Sequence, residues 1–271
     1  MAIDTMARSS ARIRLDHALV ADLRTAATSP ALVLMGVLEV VAALVFVARR
    51  GTEVVSTVLL VWLALGFVAF IAWWAGRHRL ARPEPDPVPR ARGRLLAGLT
   101  LAFGLAIGTW NIDRGASGAI ALLGLGGWLV LALPHDSGPG LGQMLRRSWR
   151  PFGPLLLLVI VPRALIAGLT GVGPFIAGVT SGVLQQLMFL PMLFCSMEAV
   201  LGRRSTAAVL SALVFATIHV PMNLSASGGD WVAAAANAVF YQATVGLIAC
   251  LAYTRHRAAV PIGVAHGLII A

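Results

Sequence analysis

The sequence predicts an all-α fold, a polytopic transmembrane helical bundle of eight or nine spanning helices with its N-terminus in the cytoplasm. Three observations predict it. Apolar runs long enough to cross a bilayer recur along the chain. Only 12% of the 271 residues are charged and 58% are hydrophobic, where a soluble domain is about one-quarter charged. The arginines fall in short clusters between the apolar runs and not along one polar face.

In chain order, a basic cytoplasmic segment comes first, residues 1–30. No small-residue cleavage site follows it convincingly, so a cleaved signal peptide is not expected. Apolar windows place spans near 31–48, 54–75, 95–110, 116–133, 152–169, 175–197, 205–220 and 231–252, with a last one starting near 258. Crossing a hydrocarbon core roughly 30 Å thick takes about 20 mainly apolar residues, which most of these runs approach. Counted from Ala258, the last helix has 14 residues and reaches about 21 Å, so the sequence reads as ending within its final span. The connection 76–94, in which RHRLARPEPDPVPRARGR follows Gly76, is too rich in Pro and Arg to be helical or buried, and 134–151 has the same character. Three regions result: the segment 1–30, N-terminal transmembrane helices over 31–150 with cytoplasmic loops 76–94 and 134–151, and a C-terminal transmembrane core over 151–271. No period of 20–50 residues repeats, which excludes a solenoid, while inverted repeats of transporter type stay open.

The arginine positions give the orientation. With the N-terminus inside, Arg8, Arg12, Arg14, Arg24, Arg77, Arg79, Arg82, Arg90, Arg92, Arg94, Arg146, Arg147, Arg150, Arg203, Arg204, Arg255 and Arg257 are cytoplasmic. Only Arg49, Arg50 and Arg114 fall outside, and Arg163 lies within a span. A missed helix would scramble this alternation, so the bias supports the number of spans as well as their direction. The net charge of +10 therefore reads as a topology signal and not as a nucleic-acid footprint. Cys195 and Cys250 form neither a disulfide framework nor a metal-ligand spacing. The expected surroundings are a lipid bilayer, with no nucleic-acid partner.

Polar groups inside a membrane are expensive, so each is a candidate for function. Glu39 and Arg163 are the clear intramembrane charges of opposite sign, and the simplest expectation is that they pair or snorkel. The other set lies in the C-terminal third: Gln185 and Gln186 in SGVLQQLMFLP, His219 in LVFATIHVP, and His266 in PIGVAHGLII. Taken singly, each is readily explained as hydrogen-bonded glue between helices. Together they put polar groups at comparable depth on three helices, which suggests a shared site.

The order of these pieces resembles the CAAX-protease and bacteriocin-processing family of intramembrane proteases, known as CPBP or ABI. That family carries Glu-Glu followed by Arg, then Phe-x-x-x-His, then His-x-x-x-Asn, on separate helices. Phe215 to His219 matches the middle element, His266 after the small Ala265 matches the start of the last, and Gln185-Gln186 stand where the paired glutamates would be. The likeness covers roughly residues 175–271. Leu190 occupies the Arg position and Ile270 the final Asn position.

The resemblance implies hydrolysis of a peptide bond in or near the membrane by a glutamate-activated water, with a membrane or prenylated peptide as substrate and a bacterial cell membrane as location. His219, His266, Gln185 and Gln186 are the residues it assigns to the site. Gln cannot accept the proton of an attacking water, so the substitutions imply lost or strongly reduced activity. No cofactor or metal is expected, because two histidines fall short of the three protein ligands of a catalytic zinc. Glu39 is the one carboxylate that would make a third ligand or a replacement base, and nothing in the sequence places its helix beside His219. Two readings from other classes remain: a transporter or permease-like subunit with Glu39 and Arg163 along a pathway, and a non-catalytic binding or immunity-type membrane protein.

Overall fold

The computed structural model describes residues 27–76, 172–256 and 259–270. Within them all regular secondary structure is helical, and five helices are long and apolar enough to cross a membrane: Pro30–Arg50, Thr52–Phe70, Gly178–Leu201, Arg204–Ala226 and Trp231–Thr254. These answer to the expected spans near 31–48, 54–75, 175–197, 205–220 and 231–252. The expected spans 95–110, 116–133 and 152–169, the segment 1–30 apart from its last residues, the loop 134–151, nearly all of 76–94, and Arg163 lie outside the described residues.

The first helix, α1 (Pro30–Arg50), starts on a proline whose fixed φ suits the first turn and whose missing N–H is not needed there. It ends on Arg49 and Arg50, cations placed at the negative end of the helix dipole. Gly51, at φ 91°, turns the chain out of it, and after one 3₁₀ turn α2 (Val55–Gly76) begins. Val33, Leu34, Val37 and Leu44 of α1, like Leu60, Leu63 and Phe67 of α2, are exposed. Water would penalise that surface, whereas lipid is as apolar as the side chains themselves.

The core is built from the C-terminal elements. Helix α3 (Val172–Leu187) runs into a π-helical stretch, Met188–Phe194, and on into α4 (Cys195–Leu201). Pro191 accounts for the widening, because it supplies no N–H and its ring crowds the carbonyl one turn back. Helix α5 (Arg204–Ala226) is joined to α4 across Gly202, at φ 65°, and by an ion pair of Glu198 with Arg204 at 2.6 Å. Helix α6 (Trp231–Asn237), a second π-helical stretch at Ala238–Ala243 and α7 (Thr244–His256) make the next span, and α8 (Ala259–Ile270) closes the chain. Among the described residues, α8 covers 12 positions.

Two contacts set how these elements sit. Asp230 caps α6, its Oδ1 accepting from the N–H groups of Val232 and Ala233 at 2.9 and 3.1 Å, while its Oδ2 accepts from Arg49 Nε at 2.8 Å. The end of α1 and the α5–α6 turn are thereby tied on one side of the bundle. The second contact is backbone on backbone. Gly178 and Gly182 of α3 face Gly263 and Gly267 of α8 so closely that a Cβ on Gly182 would lie 2.3 Å from the Gly267 nitrogen, and one on Gly267 2.4 Å from the Gly178 carbonyl oxygen. Two Gly-x-x-x-Gly faces meet here, the small-residue packing that membrane helices use where no hydrophobic force drives them together.

Gly267→Leu should therefore force the helices apart and destabilise the protein by about 3 kcal/mol or more, since backbone cannot yield as a flexible side chain does. Gly36→Ala, where a Cβ meets nothing within 4 Å, should leave the thermal midpoint unchanged or slightly raised; thermal unfolding in detergent compares the two. Arg49 holds the Asp230 carboxyl below its ordinary value of 3.8. Stability from that contact is thus present above 3.8 and lost as the pH falls through the lower folded value, so the small deficit of Asp230→Ala at pH 7 should shrink in acid.

Candidate functional site

Gln185 and Gln186 occupy the last turn of α3, just ahead of the Pro191 widening. Gln185 bridges two elements. Its Nε2 donates to Ser181 Oγ at 2.9 Å, one turn back, and its Oε1 lies 3.3 Å from His266 Nε2 on α8. Ser181 Oγ both donates and accepts, so it leaves the amide free to sit either way round, and His266 joins the bridge through Nε2 and not through Nδ1. That nitrogen is buried and has no hydrogen-bond partner.

His219 is held by the backbone. Its Nδ1 stands 2.6 Å from the Phe215 carbonyl oxygen, which accepts and cannot donate, so Nδ1 carries the proton and Nε2 the lone pair. The four-residue spacing places Phe215 and His219 on one face of α5. The Phe215 ring then borders both imidazoles, its centroid 4.4 Å from that of His219 and 5.6 Å, edge-on, from that of His266. Phe189, from the π-helical stretch, lies 4.7 Å from the same ring. Gly246 of α7 permits this packing, as a Cβ there would come within 3.3 Å of both the Phe215 ring and Ala212.

The structure thus brings His219 and His266 against one phenylalanine, with Gln185 bonded to His266. Gln186 is placed differently. It is completely buried with both amide atoms unpartnered, and no hydrogen bond joins it to the imidazoles among the described residues. Leu190, one turn further on, is also completely buried. The resembled motif has charges of opposite sign at these two positions, and here both are neutral.

Two other polar groups complete the picture. Asn223, four residues after His219, exchanges hydrogen bonds with Gln242 of the second π-helical stretch at 3.2 and 3.3 Å. The sequence reading passed over this pair, although His-x-x-x-Asn on an apolar helix was the visible signal. Glu39 is half-buried on α1 with Thr244 as its hydrogen-bonding neighbour, and its Oε1 has no partner. Among the described residues no three of His, Cys, Asp and Glu gather to hold a metal ion, so Glu39 does not join the two histidines as a third ligand.

What remains is a cluster of uncharged hydrogen-bonding groups in an apolar interior, able to bind and orient a polar group but carrying no carboxylate. No curated protein and no solved structure matches the chain. A family model does: residues 151–270 match that of the type II CAAX prenyl endopeptidase Rce1-like family. The match includes Gln185, Gln186, His219 and His266, and it is over this C-terminal region that the chain is similar to the CAAX proteases of the CPBP family.

Proposed function

We propose that this membrane protein, CAAX-protease-like in its C-terminal region, has lost or strongly reduced peptide-bond hydrolysis and keeps the site as a place where a membrane or prenylated peptide is held. His219 and His266 are the residues that meet the peptide or a water, and Gln185 and Gln186 line the site. The bacterial cell membrane is the location that goes with this reading. One observation carries it. Gln185 stands where the family has a glutamate, bonded through both ends of its amide to Ser181 and His266.

Activating a water requires a base that takes its proton, and an amide has no basicity for that work. Loss of a positioned general base removes about 10²–10⁴ in rate. The second need of acyl transfer is a donor aimed at the developing oxyanion, worth about 10²–10³. Here the imidazole of His219 has already committed its Nδ1–H to the Phe215 carbonyl, so that N–H is not free for an oxyanion. Both halves of the chemistry are therefore short of a group, and their losses are felt together.

Purified protein in lipid nanodiscs is expected to leave prenylated and membrane-peptide substrates intact over background; cleavage that disappears in His219→Ala would overturn the proposal. A second expectation concerns the neutral pair. Gln186→Glu or Leu190→Arg alone should destabilise by about 3–5 kcal/mol, as a lone buried charge does, whereas the double variant should recover part of the loss by pairing one turn apart. Denaturation of the four proteins as a double-mutant cycle reads the coupling.

A further inference from the structure

Glu39 is the intramembrane carboxyl that the imidazole cluster leaves unused. It precedes Arg49 on α1 by about 15 Å of helix, so with Arg49 exposed at the helix end it lies near the middle of a hydrocarbon core roughly 30 Å thick. The residue is half-buried, and Val37, Leu38, Val40 and Val41 beside it are exposed apolar side chains. Among the described residues the ion pairs are Arg49 with Asp230 and Arg204 with Glu198, and neither includes Glu39. Its hydrogen-bonding neighbour is Thr244 of α7, and its Oε1 is buried without a partner. Thr244 Oγ in turn stands 2.7 Å from the carbonyl oxygen of Phe240, in the second π-helical stretch.

Two arrangements of hydrogen fit these contacts, because a hydroxyl has one hydrogen and can turn it either way. In the first, Thr244 donates to a carboxylate, and a formal charge lies at mid-bilayer with one donor and no cation beside it. In the second, Glu39 is an un-ionised acid. Its O–H donates to Thr244 Oγ, Thr244 donates to the Phe240 carbonyl, and Oε1 is the uncharged C=O of the acid. Lipid decides between them: a lone charge at that depth is far more costly than an uncharged oxygen short of one hydrogen bond. We propose that Glu39 is a proton-binding site in the middle of the bilayer, its proton completing a hydrogen-bonded chain from α1 through Thr244 to the Phe240 carbonyl. The bound proton joins α1 to the α7 span at half depth, as Arg49 and Asp230 join α1 to the α5–α6 turn at its end. Gln185, His219 and His266 make their hydrogen bonds elsewhere and take no part in this chain.

Infrared difference spectra of the full chain in nanodiscs at pH 7 test the proposal. The C=O stretch of an un-ionised carboxyl is well separated from the bands of a carboxylate. It should appear in the wild type and be lost in Glu39→Gln, while Thr244→Val should keep the band and shift it, because the O–H of the acid loses its acceptor. Thermal unfolding gives a second readout. Gln keeps an uncharged donor at the same place, so the midpoint of Glu39→Gln should equal that of the wild type. Absence of the band, or a band that Glu39→Gln leaves in place, would overturn the proton site, and a band unmoved by Thr244→Val would overturn the chain to Phe240. A lowered midpoint in Glu39→Gln would also overturn the proposal; if Arg163→Gln lowers it equally and the double variant loses nothing more, an ion pair of the two takes its place.

Discussion

The close approach of α3 and α8 is the constraint on which the site depends. Gln185 and His266 lie far apart in sequence, and their 3.3 Å contact exists because four glycines let two backbones come within touching distance. In lipid, apolar side chains gain little from leaving one apolar medium for another, so packing depends on fit. A single methyl group at Gly182 or Gly267 would collide with main-chain atoms, which cannot rotate aside. The glycines thus hold α8 in the core by contact along its face.

Around that contact, irregular helix is placed where the polar groups are. Pro191 widens the helix directly after Gln185 and Gln186, and the second widened stretch carries Gln242 toward Asn223. Widened turns of this kind are rare in helices and gather at functional sites, because they redirect side chains without breaking the rod. Phe215 then serves as common wall for two imidazoles from different helices. The arrangement is one of positioning, assembled from residues that carry no charge.

Much of this was legible in the sequence, and the reasons differ from residue to residue. Spans announce themselves through composition, so Pro30–Arg50 was expected to within two residues at each end, while Arg204–Ala226 runs six residues past its expected end. His219 and His266 stood out because imidazole is rare in an apolar run, and the structure seats both on Phe215. What stayed hidden depended on partners. Nothing in a single helix tells which residue a glutamine will meet, so Ser181 as the second end of the Gln185 bridge could not be read. The partner of Asn223 was equally out of reach, since Gln242 sits in a change of helical pitch at Ala238–Ala243 with no proline to announce it. That the glycines of α3 and α8 face one another is likewise a fact of the fold.

The neutrality of the cluster has a consequence for how the protein lives in an energised membrane. Moving one elementary charge across 100 mV is worth about 2.3 kcal/mol, and a group with no charge feels none of it. Gln185, Gln186 and two neutral imidazoles therefore experience no net force from the transmembrane potential, and occupancy of the site by an uncharged guest is indifferent to whether the cell is polarised or collapsed. A glutamate–arginine version of the same helices would place formal charges in that field, whereas Gln185, Gln186, Leu190 and uncharged imidazoles place none there.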